Sequence, residues 1–355
     1  MIGSFAENEQ DVFNSLSDDL SKRIFMLRRG VARSETVSFA DVFMGRETKS
    51  VDSLIKLLTD KKYICCGAGD GCRQFLSIMR HNDLLSNCIS VFDGSITLHG
   101  TKIEGMEVAA YADDVLGKAD LVINTAYSYS ISDSIGCMLI NLGVDSCKIL
   151  PFCDYFALDD VNMYFDKVVL DCLIDGEIFI DGGCLDFSTS LSFLKKCPNV
   201  RKIYAIEPNI AQIPVIRQKI SESGFLEVEI VCGALWSEET KLTFSVHETK
   251  SASAIVNGCC CNAIKVPAYA IDDIVKPNDR ITFIKLDIEG SELEALNGAN
   301  KTIKRFMPKL AVSVYHKPMD YVDLPRYIKS IAPEYKMYLR HYTSYSSETV
   351  LYCVA

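Results

Sequence analysis

The sequence predicts an α/β protein built from two Rossmann-like, doubly wound domains that follow a helical N-terminal segment. Short β-rich runs alternate with amphipathic helical stretches at the spacing of parallel sheets. This alternation starts near residue 61, and it starts again after Pro151 and the acidic, aromatic stretch beyond it. At 355 residues the chain is also too long for one ordinary hydrophobic core. We therefore expect a helical segment at residues 1–60 and two α/β domains, at residues 61–152 and 153–355.

The composition is that of a folded, acidic protein. Hydrophobic residues make up 48% of the chain and charged residues 24%, as in globular domains and unlike disordered tails. The 37 Lys and Arg are outnumbered by 47 Asp and Glu, which gives a net charge of −10. Such a surface repels phosphate backbones and anionic membranes, so neither nucleic acid nor a membrane is an expected partner. Self-association into a homo-oligomer is compatible with this composition.

The 15 cysteines favour buried free thiols over disulfide or metal chemistry. None forms a Cys-x-x-Cys pair, and the grouped ones, such as residues 259–261, are directly adjacent. Adjacent cysteines suit neither a zinc site nor an easily formed bridge. The N-terminus lacks the basic and apolar regions of a signal peptide. No apolar run reaches the roughly 18 residues of a membrane span. We therefore expect a cytoplasmic protein.

The first half of the chain is predicted to contain helices followed by a parallel sheet. Apolar residues such as Val12, Leu16 and Ile24 recur at helical spacing in residues 8–60, which predicts helices that pack against the next domain. The β runs of residues 61–152 are KKYICCG, SVFDG, DLVINTA and CKILPF, with a hairpin-like stretch at LHGTKIEGMEVAAY. The helical stretches between them are GDGCRQFLSIMRHND, ADDVLGKA and SDSIGCMLINLG.

A glycine-rich loop follows the first of these strands. Gly67 and Gly69 are spaced as in a dinucleotide-binding loop, whereas Cys72 stands in place of the third glycine. Asp93 ends the next strand, where an acid would bind a ribose. An NAD-dependent oxidoreductase using the Gly67 loop is one interpretation, although no catalytic His, Lys or Tyr-x-x-x-Lys constellation is evident. A non-catalytic domain for substrate capture or dimerisation is the other.

Residues 153–355 repeat the alternation and end differently. Strands are predicted at EIFIDGG, KIYAIEP, LEVEIVCGA, ITFIKLDI and KLAVSVY, with helices at SLSFLKK, AQIPVIRQKISES, SELEALNGANKTIKRF and YVDLPRYIKSIA. The last two β runs, EYKMYLRHY and SETVLYCVA, are joined only by the short polar link TSYSS. Because so short a link cannot make a parallel crossover, these strands must form an antiparallel hairpin. The sequence therefore predicts a seven-stranded sheet that ends in a hairpin.

Two motifs in this half are typical of a site for an adenosine-containing ligand. Asp181, Gly182 and Gly183 end the first strand, where glycines let the backbone approach a ligand and an acid can meet an ammonium group. Glu207 ends the second strand, where a carboxylate can accept hydrogen bonds from both hydroxyls of a ribose. The alternatives are a plain βα turn at the glycines and a surface Glu before a helix.

Further candidates end the later strands. Gly233 and Ala234 precede the single Trp236, so they can form a slot for adenine, or the tryptophan can simply fill the core. Asp287 and Glu289 lie at the end of the strand ITFIKLDI, on the same face if the chain is still extended there. His316 follows KLAVSVY at the same predicted edge of the sheet and is a candidate general base.

These motifs together resemble the FkbM family of S-adenosylmethionine-dependent methyltransferases. The resemblance covers about residues 154–355 and is carried by IFIDGGCLDFSTS, YAIEPN, CGALW and, most specifically, FIKLDIEGSELEALNGANKTIKRFMPKLAVSVYHKP. It implies O-methylation, typically of hydroxyls on sugars or secondary metabolites. One departure is the stretch of residues 184–187, CLDF, where relatives have a small residue and another glycine. Bulk at this point would narrow the cofactor loop.

The resemblance also implies residue roles. The methionine part of S-adenosylmethionine would lie against Asp181, Gly182 and Gly183, with the ribose at Glu207. The adenine would lie against Gly233 and Ala234, and Asp287 would border the methyl-transfer site. Tyr164 and Phe165 match an element that would pack over the cofactor.

The leading interpretation is an O-methyltransferase acting on a small-molecule or carbohydrate hydroxyl. The protein would chiefly position the acceptor oxygen for in-line displacement, with Glu289 or His316 accepting its proton. A divalent metal held by Asp287 and Glu289 is compatible with the spacing, which does not require one. Acceptor specificity is predicted to lie in residues 247–261. The departure at residues 184–187 keeps a third interpretation open, a cofactor-binding scaffold without turnover.

Overall fold

The computed structural model describes the chain except residues 1–5, 36, 38, 40–41, 43–44, 48–50, 127–128, 159–162, 246–262 and 344–345. Contacts divide the chain into two compact units. The larger unit comprises Met1–Val37, Val161–His341 and Ser346–Ala355, and the smaller unit comprises Ser38–Asp160 and Tyr342–Tyr345. The domain boundaries expected from the sequence, after residues 60 and 152, remain a prediction. The predicted acceptor segment, residues 247–261, lies outside the described residues.

The described helices and strands follow one another as the alternating pattern predicts. The helices are α1 Glu7–Ser15, α2 Asp19–Ala32, α3 Val51–Leu58, α4 Asp70–His81, α5 Asp113–Leu116, α6 Tyr129–Asn141, α7 Lys167–Leu170, α8 Ser188–Lys196, α9 Ile213–Ser223, α10 Ile271–Ile274, α11 Glu292–Asn297, α12 Asn300–Phe306 and α13 Asp320–Ile331. The strands are β1 Gly45–Glu47, β2 Tyr63–Cys66, β3 Cys88–Phe92, β4 Lys102–Ile103, β5 Met106–Ala109, β6 Leu121–Asn124, β7 Ile149–Pro151, β8 Phe156–Leu158, β9 Glu177–Gly182, β10 Val200–Glu207, β11 Val228–Cys232, β12 Ala234–Leu235, β13 Thr240–Ser245, β14 Ala263–Tyr269, β15 Phe283–Leu286, β16 Lys309–Ser313, β17 Lys336–His341 and β18 Thr349–Val354.

The larger unit contains a seven-stranded sheet in the order β11-β10-β9-β15-β16-β18-β17. The pairs from β11 to β16 are parallel, whereas β18 runs antiparallel to both β16 and β17. The predicted seven-stranded sheet with its terminal hairpin is therefore confirmed. The strand order reverses direction between β9 and β15, and in open α/β sheets the carboxyl ends of strands at such a point form the ligand-binding crevice.

Residues near the N-terminus cover the outer edge of this sheet. Ser17 donates its backbone N–H to the carbonyl of Met337 at 2.9 Å, and the Ser21 hydroxyl accepts the N–H of Leu339 at 2.8 Å. These bonds satisfy groups that the edge strand β17 would otherwise leave unpaired. Helices α1 and α2 thus belong to the larger unit, whereas their periodicity led us to expect packing against the segment that follows them. Periodicity identifies the buried face of a helix but does not identify its partner.

The smaller unit contains a six-stranded sheet in the order β4-β5-β3-β2-β6-β7. Its strands are parallel except for the hairpin of β4 and β5. Buried apolar side chains cover both faces of the sheet, which is the arrangement expected when helices flank parallel strands. The Rossmann-like, doubly wound prediction for this half is confirmed in its parallel core.

Two features of the larger unit differ from the predicted elements. A three-stranded sheet in the order β12-β14-β13 was not expected. The helix predicted over SELEALNGANKTIKRF is two helices, α11 and α12, separated at Gly298 and Ala299. A side chain at Gly298 would lie 2.1 Å from the carbonyl oxygen of Trp236. Because only a glycine permits this approach, the chain at that point is shaped by a tertiary contact.

Within the part of the chain that the structure describes, no helix has both the length and the apolar character needed to cross a membrane.

Candidate active site

The candidate residues from the sequence lie along one edge of the seven-stranded sheet. Asp181 belongs to the end of β9 and Glu207 to the end of β10, and Gly233 follows β11 directly. Asp287 follows β15, and His316 lies three residues after β16. Because these five strands are adjacent and parallel, their carboxyl ends meet at the same edge. The structure thus brings together residues that are widely separated in the chain.

The Asp181 carboxylate is buried beneath the loop that follows β9. Its Oδ1 forms an ion pair with Nζ of Lys285 at 3.1 Å, and its Oδ2 accepts a hydrogen bond from the Ser190 hydroxyl at 2.7 Å. Lys285 also donates to the carbonyl oxygens of Gly182 and Gly183, at 3.1 and 2.8 Å. The Asp181 side chain, 0% exposed, therefore shapes the loop through Lys285.

Lys285 is a site residue that sequence reasoning missed. It is 2% exposed, and its ammonium lies 5.0 Å from the centre of the Tyr164 ring. Burial alone would lower its pKa, but the carboxylates of Asp181 and Asp287 raise it. The available signal was a lysine inside the otherwise apolar run FIKL, because lysine is almost never fully buried without a partner.

Gly182 and Gly183 allow neighbouring segments to approach the end of β9 closely. A side chain at Gly183, where φ is +74°, would lie 2.0 Å from the carbonyl oxygen of Asp287. A side chain at Gly182 would lie 2.8 Å from the Leu235 side chain. Gly183 is therefore required where the loops after β9 and β15 meet, and Gly182 is required where β9 packs against the side chains of Leu235 and Leu286.

The departure at residues 184–187 adopts the backbone that glycine prefers. Leu185 and Phe187 have φ values of +51° and +72°, in the left-handed region. Cys184 and Phe187 are buried, at 2% and 0% exposure, so their bulk enters the core beneath the loop. Leu185 points outwards and is 42% exposed. The larger residues of the loop are therefore accommodated at the cost of backbone strain at Leu185 and Phe187.

Glu207 is held where a ribose-binding carboxylate was predicted. Its Oε2 accepts the backbone N–H of Leu185 at 3.0 Å, and its Oε1 accepts that of Asn209 at 2.8 Å. It is 5% exposed, and burial raises its pKa to about 7 although both backbone bonds act in the opposite direction. Each oxygen keeps a lone pair that no backbone group uses.

The candidate adenine residues lie beside the small three-stranded sheet. A side chain at Gly233 would lie 2.7 Å from the Tyr269 ring, so this glycine permits close contact with β14. Ala234 is 6% exposed and belongs to a buried cluster with Phe244, against which Trp236 packs. The Trp236 side chain therefore fills the core of the small sheet, which was the alternative to an adenine slot.

Asp287 is bonded by two tyrosines at the end of β15. Tyr164, whose φ is +73°, donates its hydroxyl to Oδ2 at 2.6 Å, and Tyr315 donates to Oδ1 at 3.4 Å. Burial acting alone would raise the pKa of Asp287, but the charges of Lys285 and His316 lower it. Phe165, the other residue of the predicted element, is 1% exposed and stacks on Phe193 in the core.

His316 lies between three carboxylates. Its Nε2 is 3.5 Å from both Asp287 Oδ1 and Glu289 Oε2, and its Nδ1 is 2.9 Å from Glu292 Oε1. Burial alone would lower the pKa of His316, but the carboxylates, Glu292 foremost, raise it to about 9. In this state the imidazole is protonated at neutral pH and cannot accept a proton until it loses one.

Glu289 is the most accessible carboxylate of this group. Its side chain is 38% exposed and its backbone φ is +56°. Burial raises its pKa above the ordinary value, although His316 acts to lower it. A carboxylate with a raised pKa is a stronger base than an ordinary one, so Glu289 is better placed than His316 to accept a proton.

Glu292 and Glu348 complete the cluster and were not predicted from the sequence. Glu292 is 1% exposed, and its Oε1 accepts the backbone N–H of Ile288 at 3.0 Å, which fixes the loop before α11. Burial, and after it the charge of Asp287, raise the pKa of Glu348 to about 7. Glu292 had a signal in the run EGSELE, whereas Glu348 had none, because only the terminal hairpin brings it to this edge.

One potential metal-ligand atom from each of Asp287, Glu292 and His316 lies within 4.8 Å of the other two. The set differs from the Asp287 and Glu289 pair considered from the sequence. Two carboxylates and an imidazole are ligands that borderline divalent ions accept.

The Gly67 loop of the smaller unit is held by hydrogen bonds to Asp93. The carboxylate of Asp93 accepts the backbone N–H groups of Ala68 and Ser95, each at 2.7 Å. Gly67 has a φ of +98°, and a side chain there would lie 3.2 Å from the Thr125 hydroxyl. Cys72, in place of the third glycine, is 0% exposed and packs in the core. The loop has the predicted position after β2 and before α4.

Comparisons with solved structures return methyltransferases. The chain is similar to a methyltransferase FkbM from Methylobacillus flagellatus KT, with 18% identity, a TM-score of 0.44, and coverage of 97% of this chain and 99% of that one. It is similar to a rRNA methylase from Streptococcus thermophilus, with 14% identity, a TM-score of 0.35, and coverage of 52% and 89%. For Aeropyrum pernix fibrillarin, solved with natively bound S-adenosyl-L-methionine, the identity is 12%, the TM-score 0.32 and the coverage 55% and 76%. No curated protein matches the chain.

The family comparison covers the part of the chain that builds the crevice. The model of the methyltransferase FkbM domain matches residues 175–342. This range runs from just before β9 to just after β17, so it contains Asp181, Glu207, Asp287 and His316. It agrees with the resemblance found in the sequence. The match covers a little less than half of the chain.

Proposed function

We propose that the larger unit binds S-adenosylmethionine along the carboxyl edge of its seven-stranded sheet and transfers the methyl group to a hydroxyl oxygen of a sugar or related metabolite. The observation that carries this proposal is the row of candidate residues, four of them ionisable, at the ends of five adjacent parallel strands. In an open α/β sheet a ligand binds at this edge, where the strand order reverses.

The residues present fit the adenosyl part of the cofactor. Glu207 would hold the ribose, because both of its oxygens are fixed by backbone N–H groups and each retains a free lone pair. Gly233 and Ala234 would border the adenine. Gly182, Gly183 and Asp181 would shape the loop along the methionine part, with Lys285 holding that loop in place. Tyr164 would lie beside the methyl-transfer site through its bond to Asp287.

The carboxylates beyond Asp287 fit a hydroxylated acceptor. When bound, S-adenosylmethionine supplies an already activated methyl group, so the protein has chiefly to orient an oxygen and remove its proton. Asp287 and Glu289 can accept hydrogen bonds from hydroxyl groups, and they repel anionic acceptors. Glu289 would accept the proton. His316, protonated near neutral pH, would hold Glu289 and Asp287 at 3.5 Å.

Isothermal titration of the purified chain with S-adenosylmethionine, S-adenosylhomocysteine and NAD tests the cofactor. We expect both adenosyl ligands to bind and Glu207→Ala to weaken them by roughly 10- to 100-fold, the value of a hydrogen bond to a charged group. Glu227→Ala is a matched control, because Glu227 is an exposed carboxylate of the same unit. Binding of NAD alone, undisturbed by Glu207→Ala, would show that the proposal is wrong and that the Gly67 loop is the site.

The acceptor is tested by methyl transfer from radiolabelled S-adenosylmethionine to a panel of sugars, polyols, amines and thiols. We expect incorporation into hydroxylated compounds and a loss of about 100-fold or more in kcat with Glu289→Gln, because the general base is removed. Folding of the variant is checked by its unchanged affinity for S-adenosylhomocysteine. Transfer to amines or thiols in preference to hydroxyls would contradict the O-methyl assignment.

A further inference from the structure

Two buried polar atoms next to Asp287 are left without hydrogen-bond partners. The Oε2 atom of Glu292 and the Nδ1 atom of His316 have none among the described residues. The Glu292 residue is 1% exposed and the His316 side chain 9%. A buried polar group without a partner is costly, so natural structures almost always satisfy it. Two such atoms in one cluster are available to bind a ligand.

The spacing of the side chains indicates the kind of ligand. Nδ1 of His316 lies 2.9 Å from Oε1 of Glu292, a contact that is an ion pair when the imidazole is protonated. Two neighbouring ligands of an octahedral ion, each at about 2.1 Å, are separated by about 3.0 Å. Asp287 places an oxygen 3.5 Å from the other imidazole nitrogen, and one ligand atom from each residue lies within 4.8 Å of the others.

The side chains around the cluster carry more negative than positive charge, which favours binding of a cation. Asp287, Glu289 and Glu292 face the imidazole of His316 as their shared basic group. The carboxylate of Glu348 also acts on Asp287, and its Oε2 has no hydrogen-bond partner among the described residues. The ammonium of Lys285 pairs with Asp181 and also acts on Asp287, and the Lys317 side chain lies beside Gly290. Negative charge therefore exceeds positive charge, which a divalent cation would offset.

We propose that Asp287, Glu292 and His316 bind one divalent cation. Two carboxylates and one imidazole suit a borderline ion such as Mn²⁺ or Zn²⁺ better than Mg²⁺ or Ca²⁺, which take oxygen ligands. The cation replaces the proton on the imidazole. The proposal that the ion binds does not depend on the proposed function. Its role, to hold the acceptor hydroxyl beside Glu289, rests on the proposed function.

Binding of Mn²⁺ to the full chain tests the site directly. The protein is stripped with a chelator and titrated with MnCl₂, and free Mn²⁺ is followed by electron paramagnetic resonance. We expect one saturable site, displaced by Zn²⁺, which Glu292→Gln weakens by at least about tenfold because it removes a ligand charge. Glu294→Gln is the matched control, because Glu294 lies in the same helix outside the cluster. We expect it to leave the titration unchanged.

Nuclear magnetic resonance locates the ion within the chain. Mn²⁺ broadens the imidazole signals of nearby histidines, and the chain has only five. We expect His316 to broaden at substoichiometric Mn²⁺, and this broadening to be lost with Glu292→Gln. The proposal is overturned if no site saturates, if Glu292→Gln and Glu294→Gln bind Mn²⁺ equally, or if His316 is not broadened.

The two proposals fail independently. Binding of S-adenosylhomocysteine without Mn²⁺ binding would overturn the cation site and leave the methyltransferase proposal intact. Mn²⁺ binding without any adenosyl ligand would overturn the proposed function and leave the cation site. If Glu292→Gln loses Mn²⁺ but keeps S-adenosylhomocysteine, the variant is folded and the lost binding belongs to the site.

Discussion

Glu207 shows how one buried carboxylate ties the candidate site to the stability of the fold. Its raised pKa, about 7 against an ordinary 4.5, means that the folded protein holds a proton that the unfolded chain releases. Between these two values the folded state binds more protons, so its stability falls as the pH rises. Above pH 7 the folded state carries the full free-energy cost of the buried, ionised Glu207 carboxylate.

We therefore expect Glu207→Gln to flatten the pH dependence of unfolding. Relative to the parent protein, the loss of stability between pH 4.5 and pH 8 should shrink by about 3 kcal/mol at most. Urea unfolding at several pH values measures this difference, and Glu227→Gln, at an exposed position, is the control. An equal loss of stability in Glu207→Gln and the parent would mean that Glu207 titrates normally.

Single residues also show what the sequence can reveal about a site. Asp287, Glu207 and His316 were predicted because charged residues at the ends of apolar strands lie where ligands bind. The structure adds Lys285 and Glu292, whose roles depend on partners across the sheet. Asp181 was predicted as a cofactor contact, and it stays a candidate, but its pairing with Lys285 buries it. A strand pattern places a side chain at an edge without showing what neutralises it.

At the scale of elements, the loop between β9 and α8 depends on its glycines. Gly183 and Gly224 have nearly the same φ, +74° and +72°. A side chain at Gly183 would meet the Asp287 carbonyl oxygen at 2.0 Å, whereas one at Gly224 would meet nothing within 4 Å. Comparing alanine substitutions at the two positions therefore distinguishes the cost of a steric clash from the cost of backbone strain.

We expect Gly224→Ala to cost about 1 kcal/mol, the penalty of a left-handed backbone. Gly183→Ala should cost about 3 kcal/mol or more in total, because backbone atoms must also move. It should also weaken adenosyl ligands, whereas Gly224→Ala should not. Thermal unfolding and titration of both variants provide the measurements. Equal losses of stability would show that the loop accommodates a side chain.

The elements that the sequence predicted well are those with strong periodicity. All strands of the seven-stranded sheet and the closing hairpin were predicted from apolar runs and from the short TSYSS link. The three-stranded sheet was not, because β13 alternates polar and apolar residues without a marked turn and β14 contains Pro267. The break at Gly298 was also missed, since a glycine within a helical pattern is often tolerated.

At the scale of the whole molecule, the larger unit is discontinuous in sequence. Residues 1–37 supply helices that complete it, although about 120 residues of the smaller unit intervene. Asp18 forms an ion pair with Arg340 at 2.8 Å, and Glu9 pairs with Arg29 beneath Tyr321. The Asp18–Arg340 pair and the Glu9–Tyr321 hydrogen bond could not be predicted, because no local pattern links residues more than 300 positions apart.

We expect a fragment of residues 161–355 to be unstable without the N-terminal helices. Its edge strand β17 would lose the bonds to Ser17 and Ser21, each worth about 0.5–1.5 kcal/mol, and the apolar cover of α1 and α2 would be lost with them. Adding a peptide of residues 1–37 should restore a cooperative thermal transition, which circular dichroism follows. A Ser21→Ala peptide should restore it less well. A fragment that melts alike with and without the peptide would contradict this account.

The Ser21–Leu339 bond, 318 residues apart in sequence, also has a consequence for synthesis on the ribosome. At about 10 residues per second, the N-terminal helices wait about 30 s before their partner strand is made. The smaller unit, contiguous except for residues 342–345, can collapse on the nascent chain during that time. The apolar faces of α1 and α2 meanwhile have no native partner to cover them. During this interval of synthesis, α1 and α2 are therefore expected to be bound by molecular chaperones.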